Sequence, residues 1–171
     1  MTKFVRAAWT VFAGGLLIAT SPALAASVGA TVTATARAQI VKPLTLVATT
    51  NLDFGTVLLT SVTTGTTYTV TLTSAGNLTC TAGLTCATAG TPATFNVTGS
   101  KQQLIHIYAA ASNFTNGITT LQVTPSAQAT LTLANSGRPG SDFNVGASFP
   151  IDSNTTEGVY SGNMNVTVDY N

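Results

Sequence analysis

Charged residues are scarce in this chain. Asp, Glu, Lys and Arg together make up 6% of its 171 residues, against about a quarter in typical soluble domains. Most monomers are kept apart in solution partly by net charge, which this surface does not supply. The composition therefore favours a protein that associates with other surfaces. Binding to nucleic acid is excluded on the same ground, because a run of phosphates needs clustered Lys and Arg.

Residues and motifs typical of active sites are equally scarce. His106 is the single histidine, and strand alternation places it on the solvent face opposite Ile105 and Ile107. The nucleophile, zinc-protease, phosphate-loop and dinucleotide motifs are absent. A glycosidase built from two carboxylates that are distant in sequence stays open as an alternative. We expect no enzymatic activity, no cofactor and no bound metal.

Long hydrophobic runs are missing except at the start of the chain. Lys3 and Arg6 precede an apolar run over residues 7–20, and small residues follow up to Ala26. This order predicts a signal peptide over residues 1–25, cleaved after Ala25 or Ala26. A retained membrane anchor is the alternative, but the run is shorter than the roughly 18 to 20 residues that a span needs. We expect export to the periplasm and then to the cell surface or medium.

Cysteine is limited to Cys80 and Cys86. An exported chain folds in an oxidising compartment, where an even pair is normally bonded. The spacing is not that of a C-x-x-C redox motif, and no second pair accompanies it for a metal. We therefore predict a structural disulfide that pins a hairpin or loop tip, contributing roughly 2 kcal/mol by the chain-entropy model.

Thr and apolar residues alternate over much of the remaining chain, the pattern of half-buried β-strands. Turn-forming residues separate the alternating segments at intervals that leave no room for crossover helices. The sequence predicts an all-β, antiparallel sandwich in one domain over residues 39–171, preceded by an arm over 26–38. The predicted strands lie at 30–36, 40–47, 54–59, 68–73, 94–97, 104–109, 120–123, 129–133, 147–149 and 160–170.

The two ends of the processed chain carry the most suggestive pattern. The arm places small apolar side chains at every second position, making it a candidate for donation to another sheet: Val28, Ala30, Val32, Ala34, Ala36 and Ala38. The last predicted strand places its core-like face on the even positions: Tyr160, Met164, Val166, Val168 and Tyr170. Exposed strand edges accept strands from neighbouring chains. The two ends thus predict edge-to-edge assembly.

Two sequence elements carry a family resemblance. They are Leu52-Asp-Phe-Gly55, and Gly158-Val-Tyr-Ser-Gly162 followed by Tyr170. With them, nearly the whole processed chain resembles a bacterial family of exported domains of unknown function. That family is in turn similar to spore coat U-type and chaperone-usher pilus subunits.

The resemblance implies an immunoglobulin-like sandwich that lacks its last strand. A periplasmic chaperone would complete the sandwich first, with Tyr170 on the strand that pairs with it, and the arm of the next subunit would then take its place. An outer-membrane usher would assemble the homopolymer.

Two functions follow as expectations. The first is a structural subunit of a surface fibre or coat, assembled by donation of the N-terminal strand to a neighbouring copy. The second is a monomeric secreted binding module for a carbohydrate or another surface ligand. That module would pair its arm within its own sheet and cluster Tyr108, Phe114 and Phe143 on an exposed face.

Overall fold

A computed structural model describes residues 29–171, which divide between two units, Met1–Ala38 and Gln39–Asn171. In the first unit, residues 29–38 carry no regular secondary structure, and their side chains are exposed. The strand predicted over 30–36 is therefore not formed, because alternation alone does not make a strand without a hydrogen-bonded partner. The predicted signal peptide and Val28 lie outside the described residues.

The second unit is built from antiparallel strands, and residues 29–171 include no helix. The predicted strand at Leu104–Ala109 matches the structure residue for residue, whereas three strands of three or four residues escaped prediction: β4, β5 and β8. The strands are β1 Thr45–Thr50, β2 Val57–Leu59, β3 Tyr68–Leu72, β4 Leu78–Cys80, β5 Leu84–Cys86, β6 Ala93–Thr98, β7 Leu104–Ala109, β8 Ser112–Thr115, β9 Thr120–Ala127, β10 Thr130–Thr132, β11 Ser141–Ile151 and β12 Val166–Tyr170.

The long strand β11 organises the larger sheet. Its residue Val145 pairs with Ala93 of β6 on one edge and with Ala127 of β9 on the other. Further along, Ala147 pairs with β3 and β9. Strands β6 and β3 therefore follow one another along the same edge of β11, with β9 opposite them. Strands β1, β4 and β8 extend the sheet beyond β6, β3 and β9.

A three-stranded sheet, β10-β7-β12, forms the second layer, and β2 pairs with β5 in a small third sheet. The inner faces of the two main layers meet in a cluster that we call the Phe95 cluster. It combines Phe95 of β6 and Phe143 of β11 with Ile105 and Ile107 of β7. The predicted antiparallel sandwich is thus confirmed.

A second apolar cluster, which we call the Phe149 cluster, lies along the other half of β11. It contains Phe149 and Ile151 of β11 together with Val70 and Leu72 of β3. Gly146 lies where β11 changes partner from β6 to β3, and a Cβ atom there would lie 2.2 Å from the carbonyl oxygen of Leu72. Only glycine permits this close passage of two backbones.

The predicted disulfide between Cys80 and Cys86 is confirmed, with a Cα–Cα distance of 5.8 Å. Cys80 lies opposite Val70 in the ladder between β4 and β3, and Cys86 lies opposite Val57 in the ladder between β5 and β2. The bond therefore ties the small third sheet to the edge of the larger one, beside the Phe149 cluster.

Candidate functional site

Two strand edges face each other without a strand between them. Strand β1 pairs with β6 on one edge and β12 pairs with β7 on one edge, and their other edges have no ladder partner in residues 29–171. Inward side chains of both edges pack on the Phe95 cluster while remaining half-buried: Leu44, Leu46, Val166, Val168 and Tyr170. The two edges therefore border the same apolar cluster, and a groove extends from them between residues 48–57 and 155–164.

One end of the groove is closed by a contact that we call the Tyr170 clasp. The hydroxyl of Tyr170 donates to the carbonyl oxygen of Lys42 at 2.6 Å and accepts the backbone N–H of Ser100 at 2.8 Å. Gly99 leaves room for this hydroxyl, because a Cβ atom there would lie 2.5 Å from it and 2.7 Å from Leu44. The clasp thus joins the last strand to the chain just before β1.

Beyond the clasp the groove opens into a first space, the Phe95 chamber, of about 430 Å³. Ala48, at the bulge of β1, stands on one wall, and residues 160–164 form the other wall. Ala93 and Phe95 lie between the walls and are 3% and 8% exposed. The chamber is therefore a depression with an apolar floor, and its two walls also carry polar residues such as Thr50 and Asn163.

The second space, the Phe149 chamber, also measures about 430 Å³. Its walls are residues 52–57 and 155–160, and its floor is apolar and aromatic, with the rings of Phe54 and Phe149 edge to face at 4.8 Å. Two carboxylates, Asp53 and Glu157, also line it. Asp53 accepts the backbone N–H of Gly55 through Oδ1 at 2.7 Å, which fixes the turn that carries Phe54.

The two chambers adjoin, because Leu52, Phe114 and Tyr160 line both. Backbone bonds between Thr115 and Ser161, at 2.9 and 3.0 Å, attach this part of the wall to β8. Tyr160 is held in place by donating its hydroxyl to the carbonyl oxygen of Thr156 at 2.7 Å. The two chambers therefore form one continuous groove between residues 48–57 and 155–164, and the Tyr170 clasp lies beyond its Phe95 end.

Of the predicted C-terminal residues, Tyr160 and Met164 line this groove, and the others pack on the Phe95 cluster beside it: Val166, Val168 and Tyr170. Their side chains are half-buried on the even positions, from Tyr160 to Tyr170, and alternate with exposed ones from Met164 onward. The single strand predicted over 160–170 is corrected, however, since the ladder covers only Val166–Tyr170 and leaves Tyr160 and Met164 outside it. The physical reason is that Ser161 is bonded to Thr115 instead of continuing the β12–β7 ladder.

The arm residues that lie within the described part of the chain are all exposed. They are Ala30, Val32, Ala34, Ala36 and Ala38, and Val32 is the largest of them, at 92% exposure.

The three aromatic residues considered for a binding face do not share one. Phe143 is buried and stacks on Phe95 at 5.5 Å, and Phe114 is half-buried at the junction of the two chambers. Tyr108 alone is well exposed, at 69%. The expected exposed aromatic cluster is therefore wrong, because two of its three members face inward.

Sequence reasoning singled out Tyr160 but did not bring the walls at 48–57 and 155–160 together, since their side chains meet only in the fold. Within residues 29–171, no three His, Cys, Asp or Glu side chains are grouped as metal ligands would be. The same residues contain no helix that is long and apolar enough to cross a membrane.

Fold and site together define an antiparallel β-sandwich domain with an open groove that has an apolar floor and partly polar walls. The chain belongs to the family described as "Domain of unknown function (DUF4402)", whose profile matches residues 44–170. This match includes both walls of the groove. Neither a curated protein nor a solved structure shows significant similarity to the chain.

Proposed function

We propose that this protein is a structural subunit of an exported surface fibre or coat, and that the groove of one copy accepts the N-terminal arm of another. The observation that carries the proposal is the groove itself. It has an apolar floor, and it continues the space between the unpaired edges of β1 and β12, as an immunoglobulin-like sandwich lacking one strand would have. The likeness to pilus and spore coat subunits belongs to the same proposal.

A β-strand is the ligand that suits this groove chemically. The free edges of β1 and β12 offer backbone N–H and C=O groups to a new ladder, and the chambers accept side chains from one face of the strand. The arm meets both needs, because its even positions are apolar and its odd positions are mainly Thr. Burial of six small apolar side chains supplies several kcal/mol, at about 25 cal/mol per Å².

The low charge of the chain supports assembly into a polymer rather than a monomeric protein. Removal of the predicted signal peptide leaves four cations and five acids on the processed chain, so neighbouring copies repel each other weakly. In this proposal the protein is exported, held by a periplasmic chaperone whose strand fills the groove, and assembled through an outer-membrane usher. It has a structural role without catalysis.

Deletion of residues 27–36 tests the proposal. We expect the shortened subunit to fold, at least when bound by the chaperone, with its Cys80–Cys86 bond formed, and to remain monomeric by size-exclusion chromatography and negative-stain microscopy. The matched control keeps the arm but changes Thr31, Thr33 and Thr35 to Asn, which leaves the apolar face intact, and it should polymerise. Fibres from the shortened subunit would contradict the proposal.

A secreted carbohydrate-binding module is the second candidate function. It is favoured by the Phe149 chamber, where aromatic rings occur beside the carboxylates of Asp53 and Glu157. Aromatic rings stack on sugar rings, and carboxylates accept hydrogen bonds from sugar hydroxyls. A processed chain that stays monomeric and loses oligosaccharide binding on Glu157→Gln would favour this candidate over assembly.

A further inference from the structure

The groove is not uniform along its length, and this restricts how a strand fits into it. Its two chambers of about 430 Å³ each are joined at a waist where Leu52, Phe114 and Tyr160 border both. The Tyr170 clasp closes the groove beyond the Phe95 chamber. An incoming strand would therefore meet two wide positions, one in each chamber.

The spacing of the chambers is similar along both walls. On one wall, Thr50 borders the Phe95 chamber and Phe54 borders the Phe149 chamber. On the other wall, Gly162 borders the Phe95 chamber and Gly158 borders the Phe149 chamber. Both pairs are four residues apart, which corresponds to at most about 13 Å of extended chain. A strand lying between these walls would present its first and fifth residues to the two chambers.

The arm has this pattern on its apolar face. Between residues 28 and 38, the even positions are alanine except for Val28 and Val32, which are four residues apart. The residue between them on the same face is Ala30, whose small side chain suits the waist. Small side chains elsewhere on the arm are consistent with a groove that has two wide positions.

The direction in which a donated arm runs follows from the positions of the two ends of the groove. The domain's own chain approaches β1 through Lys42, at the clasp end. In a chain of subunits linked head to tail, every copy uses two different ends. Since the arm of each copy starts at its own clasp end, the arm that it receives must leave its groove at the other end, beside the Phe149 chamber. The donated arm then runs in the same direction as β1.

We propose that Val28 of one copy occupies the Phe95 chamber of the next and Val32 occupies its Phe149 chamber, with Ala30 at the waist. This inference rests on the proposed function, since it specifies the contacts of a donated arm. An arm that folds back into its own groove starts at the clasp end. It would therefore place Val32 in the Phe95 chamber and Val28 in the Phe149 chamber.

Thiol crosslinking in the processed full-length domain, residues 26–171, distinguishes these arrangements. Two variants carry the proposed pairs, V28C with N163C and V32C with V159C, since Asn163 lines the Phe95 chamber and Val159 the Phe149 chamber. The exchanged pairs, V28C with V159C and V32C with N163C, are the controls. The native Cys80–Cys86 bond occupies the other two thiols. A short thiol-reactive crosslinker should give a ladder of linked subunits in denaturing electrophoresis for the proposed pairs only.

The outcomes separate this inference from the proposed function. A ladder from the exchanged pairs would overturn the direction, and a product linked only within single chains would show self-insertion; either result refutes the inference. If the processed chain without any substitution stays monomeric, the proposed function is refuted, and this inference with it.

A charge scan of the arm provides a second measurement. V32D should reduce the polymerised fraction by roughly tenfold or more, because an unpaired carboxylate would be buried in the Phe149 chamber. T33D, on the opposite face of the arm, should leave the polymerised fraction nearly unchanged. Equal effects of V32D and T33D would refute the assignment of faces.

Discussion

The two ends of the groove differ in how the space between the sheets is closed. At one end, Tyr170 crosses from the last strand to the backbone of Lys42 and Ser100, above the buried side chain of Leu133. At the other end, the chambers expose an apolar floor with no strand of residues 39–171 over it. The domain thus completes its own core at the clasp, whereas our proposal assigns the chambers to a second strand. Stability and assembly should therefore respond to changes at different ends.

The largest expected effect on stability comes from the core beneath the clasp. Leu133 is 1% exposed and belongs to the Phe95 cluster, so Leu133→Ala should lower the free energy of unfolding by about 3 kcal/mol. Leu121→Ala, at the wall of the Phe149 chamber, should cost about half as much, because space already exists beside it. Urea unfolding of both variants measures the difference, and equal losses would contradict the distinction between the ends.

The disulfide should have the next largest effect, and it supports the chamber end. Replacing both Cys80 and Cys86 by Ala should lower the free energy of unfolding by roughly 2 kcal/mol, as expected for a ring of this size. The same loss should appear when the unchanged protein is unfolded in urea with a reducing agent. A reducing agent that had no effect would show that the link between the third sheet and β4 contributes nothing.

Tyr170→Phe should have a smaller effect, about 1 kcal/mol, because it removes two hydrogen bonds and keeps the ring. Its more specific consequence is faster hydrogen exchange at the Ser100 amide, which loses its acceptor. Tyr108→Phe, a change at a well-exposed position, is the control and should alter neither value. Unchanged protection of Ser100 in Tyr170→Phe would mean that the clasp does not hold the closed end.

Much of the fold could be predicted from the sequence where strands are long and alternate. Leu104–Ala109 is an example, because apolar and exposed residues there follow the period of a two-sided strand. Strands β4, β5 and β8 were missed because segments of three or four residues, rich in Thr and Ser, carry too little periodicity. The arm alternates as clearly as any strand in the domain, yet forms none in the structure, since alternation reveals a face but not a partner.

The candidate site was predictable only in part. The even face of the last strand is visible in the sequence because Val166, Val168 and Tyr170 alternate with polar residues. The chambers were not, because each has walls from residues about 100 positions apart, such as Phe54 and Gly158. The clasp was also hidden, since its hydrogen bond joins Tyr170 to a backbone carbonyl 128 residues earlier.

The central claim is that the chambers receive another strand, and one pair of variants tests it most directly. Ala48 is exposed and lines the Phe95 chamber, whereas its neighbour Val47, 59% exposed, points to the other face of β1. Ala48→Phe should fill the chamber without lowering the free energy of unfolding, and it should reduce the polymerised fraction by roughly tenfold or more. Val47→Phe should leave both values nearly unchanged. Light scattering of the purified processed chains measures the outcome, and fibres of normal length from Ala48→Phe would contradict the account.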